Sequence, residues 1–218
     1  MKSTYLQKCF TDHIDKKSIK TIVECGSRDA IDAIGLFHYY NPSIVYAFEA
    51  NPESIEICRK NTEDEDQIKI EPFAVYDKNG IIPFYATDME LSDDKNIGAS
   101  SVLFHRDQKE YIQKEIQVNA IRLDNFMETE RIRKIDLLCM DLQGAELIAL
   151  NGLGVRIKDI HYIIAEVSFQ SYYKNDILEP AFTQYLKDCG FCRICFDSNV
   201  SKFQKTGFCN ALYVNKTW

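Results

Sequence analysis

Nowhere in this sequence does an apolar run approach the length needed to cross a bilayer, which argues against a helical membrane span. The opening residues, Met1-Lys2-Ser3-Thr4-Tyr5, hold no apolar core of a secretion signal, so a cytoplasmic setting is expected. Positive charge is in deficit: 26 Lys and Arg face 33 Asp and Glu, a formal net charge of −7. That deficit disfavours a long phosphate backbone as partner, and nucleic acid is not the expected substrate. No repeat, low-complexity tract or linker rich in Pro and Gly divides the chain. What is present, 218 residues at 45% hydrophobic and 27% charged, has the composition of one soluble globular domain spanning 1–218.

Eight cysteines are scattered along the chain, and reduced thiols are the default where no secretion signal is seen. Cys189-Gly190-Phe191-Cys192-Arg193-Ile194-Cys195 contains Cys-x-x-Cys twice. A structural zinc wants four ligands, no His lies nearby, and Cys209 joins only if the fold brings it round. The competing reading is a strand entering the core.

Apolar runs and turn residues alternate in a regular order. A weakly amphipathic helix is expected over Ser3–Ile14 and a strand over Lys20–Cys25. A helix follows over Asp29–Tyr40, stopped by Asn41-Pro42, then a strand over Ile44–Phe48. Asn51-Pro52 reads as cap and first residue of a helix running to Asn61, before a third strand over Gln67–Val75. This β-α-β-α-β order predicts a parallel sheet. Asn79-Gly80 turns the chain into Ile81–Tyr85, a strand off the main sheet or on its edge. Ile116–Leu123 is another strand, with Asp124 capping a short helix after it. Ile160–Ala165 is a buried strand ending at Glu166, followed by a helix over Glu179–Cys189. Phe191–Phe196 and Phe208–Val214 close the chain as strands that, if paired, run antiparallel across a short loop. Residues 88–115 lack periodicity. So long a connection reads as a lid or substrate loop, or as a surface insertion.

Two strand ends carry the chemistry of a nucleoside site. Val23-Glu24-Cys25-Gly26-Ser27-Arg28-Asp29-Ala30 is a strand-to-helix turn with one glycine. A dinucleotide fold wants Gly-x-Gly-x-x-Gly, but Arg28 and Ile31 hold the second and third positions and are too large for a pyrophosphate to approach. Asp29 would also repel phosphate at the positive end of a helix. Glu49 ends the second strand 23 positions after Gly26, where an acid can accept from ribose hydroxyls. The alternative for Glu24 and Glu49 is a solvated strand end. Further on, Leu137–Met140 is an unbroken apolar run that suits a strand buried on both faces. Asp141 then stands at the carboxyl end of an interior strand, where open α/β sheets bind ligands. It also reads as a helix N-cap.

The segment IDLLCMDLQGAELIALNG, residues 135–152, is similar to the late motif of the FkbM family of S-adenosylmethionine-dependent O-methyltransferases. That motif is an apolar strand, Asp-x-Glu/Gln-Gly-x-Glu, and a helix ending near Gly. Phe48-Glu49-Ala50-Asn51-Pro52 resembles the family's Phe-Glu-Pro-Asn-Pro, with Ala50 for proline. Ala74-Val75-Tyr76-Asp77 resembles Ala-Val-x-Asp, and Ser100-Ser101-Val102 resembles a Ser-Ser-Leu-like element. The resemblance runs from about Thr21 to Glu166. It implies a Rossmann-like methyltransferase fold: a mostly parallel sheet with helices on both faces and an antiparallel C-terminal hairpin. It implies S-adenosylmethionine as cofactor, whose sulfonium and ammonium favour carboxylates. The expected cofactor-binding set is Glu24, Cys25, Gly26, Ser27, Glu49, Ala50, Phe73, Ala74 and Asp141. By resemblance Phe73 and Ala74 lie against adenine; Phe73 also reads as a core aromatic.

Methyl transfer to a hydroxyl needs in-line alignment and removal of a proton. Asp141, Glu166 and His105 are the candidate bases, and Asp141 with Glu166 are candidate ligands for a shared divalent ion. His105 also reads as a surface-loop histidine, and Glu146 as an acid serving a helix N-terminus. The expected acceptor is a hydroxyl of a sugar, glycan or small metabolite. The competing functions are a nucleic-acid methyltransferase and a cofactor-binding module without turnover.

Overall fold

The computed structural model describes residues 3–93, 96–107, 111–198 and 207–218. Its main sheet has seven strands. Five run parallel: β1 (Thr21–Cys25), β2 (Ile44–Phe48), β3 (Ile68–Glu71), β7 (Ile135–Met140) and β8 (Ile160–Ser168). The last two, β9 (Phe191–Phe196) and β10 (Phe208–Asn215), pair antiparallel with each other. The spatial order is β3-β2-β1-β7-β8-β10-β9, so β10 lies between β8 and β9 and is antiparallel to both. A second, three-stranded sheet has the order β4-β6-β5, from β4 (Ala74–Val75), β5 (Gly80–Thr87) and β6 (Gln113–Ile121). The expected Rossmann-like α/β class is the observed one.

Strand β7 is the spine for a simple reason. Successive side chains on a strand point to opposite faces, and here both faces are covered. Ile135, Leu138 and Met140 join one core cluster with Val23, Phe126 and Ile163, whereas Leu137 and Cys139 join a second with Ile22, Leu36 and Phe10. All five of these apolar β7 side chains are fully buried. Truncating Leu138 to Ala is worth about 2–5 kcal/mol by cavity formation. Asp136 fixes the start of the strand, its Oδ2 accepting from the amides of Lys20 and Thr21 at 2.8 Å each.

The helices are α1 (Lys8–Thr11), α2 (Ile31–Tyr40), α3 (Pro52–Asn61), α4 (Leu123–Thr129), α5 (Glu146–Asn151) and α6 (Glu179–Asp188). Asn51 caps α3 as its sequence position predicts, accepting from the Glu53 amide at 3.1 Å ahead of Pro52. Other expectations are corrected. Ser3–Ile14 is not one helix but a 3₁₀ turn, Thr4–Leu6, and the four-residue α1, with Gln7 extended between them. The turn is held from outside, because Asp32 of α2 accepts from the Thr4 amide and hydroxyl. The strand over Gln67–Val75 is cut in two. Pro72 has no N–H to give a ladder, the Phe73 amide turns back to Glu71 O at 2.9 Å, and Ala74–Val75 crosses to the second sheet. Asp124 does not cap α4; it lies inside the first turn and pairs with Arg122, the residue at the cap position. Helix α2 starts at Ile31, two residues late, because Arg28 and Ala30 take left-handed backbone angles.

Candidate functional site

The chain runs from β1 outward to β2 and β3, then returns to place β7 and β8 on the other side of β1. The junction between β1 and β7 is therefore the topological switch point, where the loops at the carboxyl ends part to form a crevice. Gly26 sits on one side of it and Asp141 on the other. Their loops touch through backbone: the Asp141 amide donates to Cys25 O at 3.0 Å, and the amides of Gly26 and Ser27 donate to Phe48 O at 3.0 Å each. A Cβ on Gly26 would lie 1.9 Å from the Asp141 carbonyl oxygen, and φ there is +87°. Glycine is required for this closeness of the two loops, as well as for the turn.

The crevice opens into a cavity of about 410 Å³. Of the residues singled out from sequence, Gly26, Ser27, Glu49, Ala50, Phe73, Ala74, His105, Asp141 and Glu166 line it. Glu24 and Cys25 do not. The Cys25 side chain is turned into the core, where burial pushes its thiol well up. Glu24 is 1% exposed and lies behind Ser27, whose hydroxyl donates to it; its other oxygen has no partner among the described residues. Burial holds the Glu24 carboxyl well above its ordinary range, against the Ser27 hydrogen bond.

Glu49 is engaged rather than solvated. Its Oε1 accepts from the amides of Ala50 (2.8 Å) and Asn51 (2.7 Å), and its Oε2 from the amide of Arg28 (2.7 Å). One carboxylate thereby ties the β1 loop to the start of α3. Burial raises its pKa, and these three amides oppose the rise.

Asp141 does not cap a helix: α5 begins at Glu146, and its cap position is Ala145. The helix-end role falls to Glu146, whose Oε1 accepts from the Leu142 amide at 2.7 Å; burial pushes its pKa up to about 7. Asp141 instead faces the cavity beside Glu166. Gln143 joins them, its amide nitrogen 2.6 Å from Asp141 Oδ1 and 3.3 Å from Glu166 Oε2. The Gln143 carbonyl accepts from the Tyr173 hydroxyl at 2.8 Å, which fixes the amide's orientation. Gln143 reaches this place through a left-handed backbone, φ 53°, followed by Gly144 at φ 91°. Burial raises both acids. For Glu166 the neighbouring negative charges of Asp141 and Glu146 raise it further, whereas for Asp141 the Gln143 hydrogen bond and Arg28 pull back.

This geometry bears on a metal. An N–H₂ group donating to both carboxylates occupies the place a shared cation would take, so the pair as arranged does not fit a divalent ion. Among the described residues no cluster of three or more His, Cys, Asp or Glu could hold one. Nor do the Cys-x-x-Cys thiols converge. Cys192 pairs with Val214 and Cys195 with Leu212 across a register shift, so both lie on one face of the sheet, but Cys192 is exposed while the Cys195 thiol donates to Cys9 O at 2.9 Å, and among the described residues no set of three such ligands gathers there.

Part of the stretch 88–115 forms the cavity wall; residues 94–95 and 108–110 fall outside the described ones. A 3₁₀ turn, Ile97–Ala99, and Ser100 to Val102 line the cavity. The Ser101 hydroxyl reaches the carbonyls of Leu142 (3.2 Å) and Gln143 (3.0 Å). His105 is not a surface histidine. It is 5% exposed, with its ring edge-on to Tyr111 and Tyr173 and Nδ1 3.1 Å from the Asp107 amide. The end of the stretch, from Gln113, is already β6.

Sequence reasoning passed over Tyr5, Asp32, Gln143 as a bridge, and Tyr173, all of which line the cavity. Gln143 stands inside the motif and was open to notice. Tyr5 and Tyr173 arrive from segments remote in sequence, and no local pattern marks them.

A mostly parallel sheet with β10 inserted antiparallel, and a nucleoside-sized crevice at its switch point, define the Rossmann-like methyltransferase class. The chain belongs to the FkbM methyltransferase family, whose domain model matches residues 24–192. Among characterised proteins it is similar to the 2-O-methyltransferase NoeI of Sinorhizobium fredii, at 26% identity over 168 residues, covering 74% of this chain and 69% of that one. Among solved structures it resembles an FkbM methyltransferase from Methylobacillus flagellatus, with a TM-score of 0.62 at 12% identity. That match covers 98% of this chain but 48% of the other, so this chain spans about half its length. It also resembles TrmK of M. capricolum in complex with S-adenosylhomocysteine, with a TM-score of 0.53 at 15% identity, covering 94% of this chain and 65% of the other. Among the described residues no helix is long and apolar enough to cross a membrane.

Proposed function

We propose that this protein is an S-adenosylmethionine-dependent O-methyltransferase acting on a hydroxyl of a sugar, glycan or small metabolite. The observation that carries the reading is the convergence of Gly26, Glu49 and Asp141 on one cavity at the switch point. When bound, S-adenosylmethionine supplies a methyl group already activated by its sulfonium. The chain's own part is to hold, align and deprotonate. Glu49 Oε1 is filled by two amides, but Oε2 receives one and keeps a lone pair for a ribose hydroxyl. Phe73 and Ala74 offer an apolar wall to adenine. Asp141 and Glu166 supply negative charge where the sulfonium and ammonium would lie. Asp141, the less strongly raised of the two acids, is the base that takes the acceptor's proton. Tyr172, Tyr173 and Phe208, beside Glu166 and Ser168, give the acceptor end both flat apolar faces and hydroxyl-binding groups, the mixture that suits a sugar ring. The relative that carries the name 2-O-methyltransferase supports transfer to oxygen.

The test is transfer of a radiolabelled methyl group from S-adenosylmethionine to a panel of glycans, small alcohols and RNA, with calorimetry against S-adenosylhomocysteine and NAD. Label on a glycan or alcohol, with S-adenosylhomocysteine binding and no NAD binding, is expected. Label on RNA alone selects the nucleic-acid reading. Cofactor binding without transfer to any acceptor selects a binding module. Tight NAD binding with no response to S-adenosylhomocysteine sinks the cofactor reading.

A further inference from the structure

The family match begins at residue 24, yet one residue lining the cavity, Tyr5, comes from before it. Tyr5 lines the cavity and is itself 2% exposed. Its position is fixed on both sides. The Ser3 hydroxyl accepts from the Tyr5 amide at 3.3 Å, and Asp32 accepts from the Thr4 amide at 2.7 Å and the Thr4 hydroxyl at 3.2 Å. Ser3 in turn rests on Gly35 of α2, where an added Cβ would come 2.9 Å from the Ser3 Cβ. The aromatic body of Tyr5 is buried in the core with Ile22, Ala33 and Cys139. Its hydroxyl has no hydrogen-bond partner among the described residues, although it belongs to a side chain facing a polar cavity. Burial raises the phenol well above its ordinary range, and the negative charges of Asp141, Glu24 and Asp32 raise it further, so it stays protonated and is a donor.

We propose that Tyr5 is a cofactor-binding residue, its hydroxyl donating a hydrogen bond to the carboxylate at the aminocarboxyl end of S-adenosylmethionine. The inference rests on the cofactor reading above and adds to it a contact from outside the family match. Carboxylates dominate this end of the cavity, and they would repel a ligand carboxylate unless donors face it. Ser27 spends its hydroxyl on Glu24, and Arg28 is paired with Asp29 at 3.3 Å. Tyr5 is, among the described residues, a neutral donor at this end with no other hydrogen bond. Its phenol adds no charge, so it does not weaken the attraction of Asp141 for the neighbouring ammonium and sulfonium.

The experiment is calorimetry on the full chain, wild type and Tyr5→Phe, with two ligands. S-adenosylhomocysteine carries the aminocarboxyl end; methylthioadenosine keeps the nucleoside and thioether but lacks it. The phenylalanine ring fills the same space, and an unchanged melting curve establishes that the variant folds. The expected result is about tenfold weaker binding of S-adenosylhomocysteine, the loss typical of one hydrogen bond to a charged group, with methylthioadenosine binding unchanged. Equal weakening of both ligands, or of neither, overturns the assignment. A wild type that binds neither ligand overturns the cofactor reading itself and this contact with it.

Discussion

Asp141 and Glu166 share one donor, the Gln143 amide, which is itself aimed by Tyr173. With Ala145 at the cap position of α5 and Glu146 accepting from the Leu142 amide just ahead of it, the Asp141 charge has no structural duty at a helix end. Asp141→Asn keeps the shape and removes the charge. Turnover is expected to fall about a hundredfold or more, the range for loss of a general base, while calorimetry finds S-adenosylhomocysteine affinity changed far less. A variant with near-native turnover would end the base assignment. Glu146 makes a separate prediction about pH. Its folded pKa of about 7 lies above an ordinary 4.5, so the folded state holds the proton more tightly than the unfolded one. The sign follows: its contribution to stability is full below about 4.5 and is lost as pH rises through about 7. The shift corresponds to about 3 kcal/mol for one group. Denaturant melts at pH 5 and pH 8 should show wild type losing stability with pH, and Glu146→Gln losing less. Identical slopes would count against a buried, proton-holding Glu146. At this scale the sequence was legible in part. The motif and the single glycine exposed Asp141, Gly26 and Glu49. It did not reveal that Glu49 receives three amides, because those donors meet only when two loops fold over one another.

Among the elements, the β1 and β7 loops depend on each other. Gly26→Ala would put a methyl group 1.9 Å from the Asp141 carbonyl in a left-handed turn, so something must move. The expectation is a loss of stability of several kcal/mol, about 3 or more, together with loss of cofactor binding, as read from thermal melts and calorimetry. A variant with native melting and binding would mean that the two loops do not need glycine to meet. The stretch 88–115 reads as a lid or substrate loop, or as a surface insertion, and ligand-dependent exchange separates the two. Its turn at Ile97–Ala99 lines the cavity, and Ser101 is latched to the Leu142 and Gln143 carbonyls. Hydrogen exchange at residues 97–103 should be fast in the free protein and slow by tenfold or more with S-adenosylhomocysteine and acceptor bound. Slow exchange without ligand would make it a fixed wall. Elements with a clear period and a cap were legible from sequence, as with Asn51-Pro52 and the run in β7. Those decided by remote contacts were not. The helix expected at Ser3–Ile14 breaks at Gln7, after a turn that Asp32 holds by capturing Thr4, and the third strand breaks where Pro72 lets Ala74 pair with Ala120.

For the whole molecule, the order of elements and the burial of β7 on both faces were enough to place the crevice, because strand order and chain reversal determine where ligand loops gather. The strand order of the closing hairpin was beyond reach, since pairing across the loop is compatible with either strand lying next to β8. The structure puts β10 there, and β9 joins the sheet only through it. This has a consequence for how the protein comes into being. A ribosome delivers the crevice strands before residues 208–215. Until those arrive, β8, which carries Glu166, is a raw sheet edge, and β9 has no strand to join. The nascent chain thus passes through a stage in which its reactive half is built but open-sided, an invitation to pair with a stranger. Final closure of the sheet and protection from aggregation are one and the same event, the late insertion of a single strand between two that are already waiting.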